Sequence, residues 1–390
     1  MQQSFFLPSY LALKEVWRNR GRFLLVSLVI ALITLLVLFI AALGEGLGNG
    51  NREFLSKVDA SLVVYQAKSD LVIQSSRLGR DRLATVKRLP GVADAGPLGT
   101  SNGTLMLTGG AKTLKVALLG VDPGHTGEPP VLQGRQLSSK QANEVILDRN
   151  SALQSKYKVG DLATIRVTQG TKDEFYSLRV VGITDGRQFG LQPALIMPFY
   201  TWDKVRPKSE AEVRSPNPLA NILLVKLTDP AQAETVAAAI TAQVNSTQVA
   251  TTQQAIEALP GYSAQQSTLN TQGGFTFFIG ILVIGGFFQI QILQKVAQIG
   301  VLKAIGASNF AVGLAAIIQI FITTLIGVAI GGGLTYLFSL SFPPTIPIVF
   351  NGARSAAAVA ALLLIGPLGG LVSIRYAVRI EPLKALGLSS

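Results

Sequence analysis

The chain has 390 residues, 48% of them hydrophobic and only 14% charged, with a mean hydropathy of +0.41. That balance is too apolar for an ordinary soluble protein. The formal net charge is +12, and there is no Cys, which excludes disulfides and any Cys-ligated zinc or iron–sulfur centre.

Residues 1–22 are expected to form a cytoplasmic basic helix, ending in Lys14, Arg18, Arg20 and Arg22. The uncharged run 23–43 follows. A bilayer core of about 30 Å needs roughly 20 apolar residues, so this run can span it. It exceeds the 7–15 residues usual for a signal h-region, and Ala41-Ala42-Leu43-Gly44 is a poor cleavage site, so it reads as an uncleaved anchor.

Residues 44–274 have the composition of a soluble domain. Runs 61–65, 104–107, 114–119, 164–167, 178–183 and 222–227 are short, rich in Val, Ile, Leu and Thr, and bounded by Gly, Asp or Pro, which predicts strands. Helices are predicted over 80–89, over 230–244 with Asp229 as N-cap, and over 253–259 before Pro260-Gly261. Three further spans follow at 275–293, 310–338 and 356–374, separated by a link (294–309) and a loop (339–355), with a tail over 375–390. The fold class is a polytopic α-helical membrane protein with four transmembrane helices. One large extracytoplasmic α+β domain lies between the first and second.

Cations concentrate in the N-terminal flank, in the link (Lys295, Lys303) and in the tail (Arg375, Arg379, Lys384), opposed by Glu15 and Glu381. The positive-inside rule makes both termini and the link cytoplasmic in a plasma (inner) membrane. The basic balance therefore reads as topology and contact with anionic lipid rather than nucleic-acid binding.

The single His, His125, lies in a Gly/Pro-rich stretch with no placed Ser or acid, and the sequence has neither Gly-x-Ser-x-Gly nor His-Glu-x-x-His. It also lacks Gly-x-x-x-x-Gly-Lys-Ser/Thr, so it carries no recognisable ATP site and is expected to be a non-catalytic subunit. The spans contain no ionisable residue to carry a coupling ion, Glu45 at the outer end of the first being the nearest. Energy for uphill transport would enter from a partner.

The link is apolar at Val296, Ile299, Val301, Leu302 and Ile305. A short cytoplasmic element carries such side chains either to lie along the membrane surface or to dock. The run Ile299-Gly300-Val301-Leu302-Lys303-Ala304-Ile305-Gly306-Ala307-Ser308 resembles the hallmark of the FtsX-like permease family, the MacB or type VII ABC transporters. Arg375 to Leu386 resembles that family's basic tail. Gly134-Arg135, Glu144 to Leu147, Val159 to Asp161 and Val180 to Gly182 resemble landmarks of its outer domain. Gln298 departs from the family, which often has an acid there.

The resemblance implies an ATPase-coupling element comprising Lys295 and residues 298–306, with Ile299, Leu302 and Ile305 seated in an ATPase groove. It further implies a homodimer of this chain and two ATPase copies. ATP and Mg would be bound by the ATPase, with no cofactor, catalytic residue or metal on this chain. The outer domains would move by mechanotransmission, and a membrane-fusion protein is a further partner to be considered. Gly327/Gly331 and Gly366/Gly370 have Gly-x-x-x-Gly spacing and are candidates for dimer packing. Pro260 to Gln265 and the Lys-Ala-Ile-Gly-Ala-Ser form lean toward the haem-exporting branch, for which Met106, Met197, His125, Tyr262 and Glu45 are candidate ligands. Lipid-like molecules, peptides and drugs stay open as substrates. The alternative function is a non-transporting signalling permease that regulates a cell-wall hydrolase or senses an antibiotic.

Overall fold

The computed structural model describes residues 3–107, 112–209, 212, 218–342 and 348–379. The chain forms two compact units, one of residues 47–265 and one of residues 1–46 with 266–390.

Helix α1 (Gln3–Arg18) leads into α2 (Arg20–Lys57), which carries the first apolar run and continues past it to Lys57. The outer unit then alternates strands and short helices. In chain order these are β1 (Leu62–Gln66), α3 (Arg80–Lys87), β2 (Val92–Met106), β3 (Thr113–Val121), β4 (Val131–Gly134) and β5 (Glu144–Leu147). There follow α4 (Arg149–Ser155), β6 (Leu162–Gln169), β7 (Lys172–Thr184), β8 (Ala194–Pro198), α5 (Phe199–Val205), β9 (Ile222–Leu227), α6 (Ala233–Gln243), β10 (Thr247–Thr251) and α7 (Thr252–Glu257). The strands make one sheet in the order β10-β1-β9-β2-β3-β8-β5-β7-β4, with β6 pairing both β2 and β7.

The pleat of β1 shows how this sheet is covered on both faces. Leu62 and Val64 join a core that includes Val86 of α3 and Ile240 of α6. Val63 and Tyr65 point the other way, into a core with Phe54 and Leu55 of α2 and Ile256 of α7. Central strands are accordingly apolar on both faces, as in Ile222 to Val225, all buried. The predicted helix over 230–244 is a 3₁₀ turn, Pro230–Gln232, followed by α6, and the Asp229 side chain accepts from the Ala231 N–H at 3.0 Å.

The membrane unit adds α8 (Tyr262–Gln294), α9 (Val296–Ala304), α10 (Asn309–Ser341) and α11 (Gly352–Arg379). Four stretches are long and apolar enough to cross a membrane: Arg20–Lys57, Tyr262–Gln294, Asn309–Ser341 and Ser355–Arg375. Val26, Ile30, Ile284, Phe288, Ile320 and Ile365 form their common core, while Leu24, Phe278, Leu282 and Leu364 stay exposed on surfaces that suit lipid.

The glycines expected at a dimer seam meet helices of the same chain. A Cβ on Gly327 would stand 2.6 Å from Ile30 Cβ, and one on Gly331 would stand 2.5 Å from the Ala31 carbonyl oxygen. Both glycines therefore let α10 close on α2. Gly366 and Gly370 face Thr324 and Ile320 of α10 in the same way. The spacing does mark close helix approach, but the partner helix belongs to the same molecule. A further close approach, which the spacing argument missed, pairs Gly285 of α8 with Gly369 of α11.

Candidate coupling site at the basic end of the helix bundle

Helix α8 breaks at Lys295, whose φ of −108° and ψ of 5° leave the helical region, and α9 begins one residue later. The break is held from α1 and α2. Lys295 pairs with Glu15 and lies 5.5 Å from the Phe23 ring centroid, while Arg22 Nη1 donates to Gln294 Oε1 at 3.1 Å. Glu15 also accepts from Gln319 Nε2 of α10 at 2.5 Å.

The far end of α9 closes in a Schellman turn. The N–H groups of Gly306 and Ala307 donate to the carbonyls of Lys303 and Leu302, each at 3.0 Å. That geometry puts Gly306 at φ +107°, where a side chain would strain the backbone. Ser308 then caps α10, its Oγ accepting from the Ala311 N–H at 3.2 Å. Ile305-Gly306-Ala307-Ser308 is thus one helix stop followed at once by one helix start, which fixes the angle at which α9 is presented.

On α9 the expected coupling residues divide. Gly300 is buried, and Ile299 is half-buried against Ile292. Ile299 therefore contributes to the packing of α9 on its own bundle. Lys303 is also half-buried, donating from Nζ to the Val378 carbonyl at 2.6 Å near the end of α11, and burial lowers its pKa below the usual lysine range. Gln298, Val301, Leu302, Ala304 and Ile305 are exposed, Ile305 at 81%. Such an exposed apolar edge suits either a partner surface or the membrane surface.

The candidate haem ligands each have surroundings of their own. Met197 is fully buried in the outer unit's core. His125 Nδ1 lies 3.0 Å from Asp94 Oδ1 and 3.2 Å from Lys87 Nζ. Tyr262 Oη accepts from Arg52 Nη1 at 3.1 Å, and the Met106 carbonyl accepts from Tyr157 Oη. Glu45 is 4% exposed and accepts from Asn351 Nδ2 at 3.4 Å. Among the described residues, no group of three or more His, Asp or Glu is placed to hold a metal ion.

One arrangement in the outer unit carries no sequence signal. The last turns of α2 are fastened to the β7–β8 loop. Lys57 Nζ donates to the Gly186 carbonyl at 2.6 Å and pairs with Asp185 at 3.2 Å. Glu53 accepts from the Gln188 N–H at 3.1 Å, and Phe54 meets Phe189 edge-on, with centroids 6.2 Å apart. The same helix that supplies the first span therefore ends as part of the outer core.

Four spans, an α+β domain inserted after the first, and an anchored apolar element define a class: the membrane-embedded permease subunit of an ABC transporter. The chain belongs to the MacB/FtsX-like permease family, residues 23–243 matching the MacB-like periplasmic core domain and residues 271–382 the FtsX-like permease C-terminal region. The domain of residues 47–265 is thus extracytoplasmic, and membership implies an ATPase partner.

A protein of Staphylococcus haemolyticus named as a hemin transport system permease protein, HrtB, is 24% identical over 393 residues, covering 97% of this chain and 99% of the relative. An uncharacterized ABC transporter permease of Mycobacterium tuberculosis is 24% identical over 386 residues, with the same coverage. Among solved structures, the periplasmic region of MacB from Actinobacillus actinomycetemcomitans is similar at 14% identity and a TM-score of 0.37, over 53% of this chain and 96% of that one.

Proposed function

We propose that the protein is an exporter permease that works by mechanotransmission, as a homodimer engaging two copies of a separate ATPase, which binds ATP and Mg. Both termini and α9 face the cytoplasm. ATP-driven closure of the ATPase pair moves α9, and the movement reaches the outer domain through α2, whose last turns are pinned by Glu53, Phe54 and Lys57. The substrate is hydrophobic or amphipathic. End-to-end similarity to permeases named for hemin transport supports haem as that substrate.

The observation that carries this reading is the exposed apolar edge of α9, Val301, Leu302 and Ile305, on a helix fixed at both ends. Burying one such side chain is worth roughly 1.5–3 kcal/mol, or about 10- to 150-fold in affinity. Ile305→Asp forfeits that and places an unpaired carboxylate in the interface. The variant is expected to insert normally yet fail to co-purify with its ATPase and to lose export. Normal co-purification together with normal export would refute the coupling role.

A further inference from the structure

Beside the coupling element, the membrane unit carries a half-open cavity of about 480 Å³ walled by α1, α8, α9 and α10. The volume falls within the roughly 300–1,000 Å³ typical of small-molecule sites. Its walls divide by chemistry. Phe288, Ile292, Ile299 and Ile320 make a largely apolar interior, broken by the buried amides of Gln291 and Gln319, and Ala315 and Ala316 leave room where larger side chains would fill it. Lys14, Arg18 and Lys295 bring positive charge, against the carboxylate of Glu15.

Glu15 is already committed to Lys295 and Gln319. Lys14 and Arg18 are exposed, and among the described residues no carboxylate pairs with either. The cavity thus joins an apolar interior to two unneutralised cations at the basic end of a membrane-spanning bundle. A free phosphate would use only the cations, and a neutral lipid only the interior.

We infer that this cavity is a binding site for an anionic phospholipid, one acyl chain inside and the phosphate against Lys14 and Arg18. Ile299 and Leu302 of α9 share its wall, and Leu302 also belongs to the exposed edge, so an occupied site bears directly on the coupling element. That consequence rests on the function proposed above, whereas lipid binding itself does not.

The test uses the full-length chain in mixed micelles of equal phosphatidylglycerol and phosphatidylcholine, with retained lipid counted by native mass spectrometry. Phosphatidylglycerol should be enriched. Lys14→Gln with Arg18→Gln should weaken its retention roughly 25-fold, at about fivefold per basic side chain near an anionic surface. Ala316→Trp should exclude it, while thermal unfolding of the outer domain stays unchanged.

Equal retention of the two lipids, or undiminished enrichment in the double variant, would overturn the site. So would displacement by water-soluble glycerol phosphate, which would mark a simple phosphate pocket. An Ala316→Trp protein that keeps its lipid but sheds the ATPase would show that the cavity serves the ATPase instead. Ile305 lies outside the cavity wall, so the Ile305→Asp experiment fails or succeeds independently.

Discussion

Asp148 is a buried carboxylate of the outer domain whose proton affinity folding raises. It is fully buried at the N-terminus of α4, accepting from the Ser151 N–H at 2.7 Å and the Arg187 N–H at 3.5 Å. Burial pushes its pKa from 3.8 up to about 6, outweighing those hydrogen bonds. The native state therefore keeps the proton up to about pH 6, whereas the unfolded chain releases it near pH 3.8. Between those values the native state binds more protons, so stability falls as pH rises. The loss amounts to on the order of 3 kcal/mol, at about 1.36 kcal/mol per unit of displacement. Asp148→Asn keeps the helix cap and removes the titration. By urea unfolding, the variant should gain on the wild type by that amount between about pH 4 and pH 7. A difference independent of pH would show that Asp148 titrates normally.

At the scale of elements, the glycine faces of α10 and α11 make a sharp contrast with the dimer seam expected from their spacing. A side chain at Gly331 would meet the Ala31 carbonyl and, at 2.6 Å, Thr34 Cβ, and neither backbone nor branched side chain can yield cheaply. Gly331→Val should lower the melting temperature of the detergent-solubilised chain, by overpacking worth about 1–3 kcal/mol. Gly333→Ala, on the same helix with nothing within 4 Å of its Cβ, should be nearly silent. A Gly331→Val protein that melts normally but no longer dimerises would restore the dimer seam. The sequence could place glycines on helices but not say which helix they meet, because one spacing serves contacts within and between chains. Long uncharged runs made the four spans legible, and short runs rich in Val, Ile, Leu and Thr between turn residues marked β1, the end of β2, β3, β6, β7 and β9. Strand β8, Ala194–Pro198, has Ile196 as its single β-branched residue and ends in Pro, and so lacks that composition. The Ile299 to Ser308 motif marked the candidate coupling element as a whole. Which of its apolar residues face outward depends on Ile292 and on the Schellman turn, and three-dimensional packing decides that.

For the whole molecule, orientation is the property on which the functional reading depends, and four spans make it a single binary question. An even number of crossings puts both termini on one side, together with α9, and puts the outer domain on the other. Each Lys or Arg close to an anionic cytoplasmic surface contributes about 1 kcal/mol, and Lys14, Arg18, Arg20, Arg22, Lys295 and Lys303 all belong to the side occupied by α9. The natural absence of Cys gives a silent background for labelling. Ser246, exposed in the turn before β10, and Ala304, exposed at the end of α9, are suitable reporters. In spheroplasts, Ser246→Cys should react with a membrane-impermeant maleimide. Ala304→Cys should react only after the membrane is opened by detergent. The pair controls for expression and for reagent access, since each protein must label fully in detergent. Reaction of Ala304→Cys from outside, with Ser246→Cys protected, would invert the topology and remove α9 from reach of any cytoplasmic ATPase.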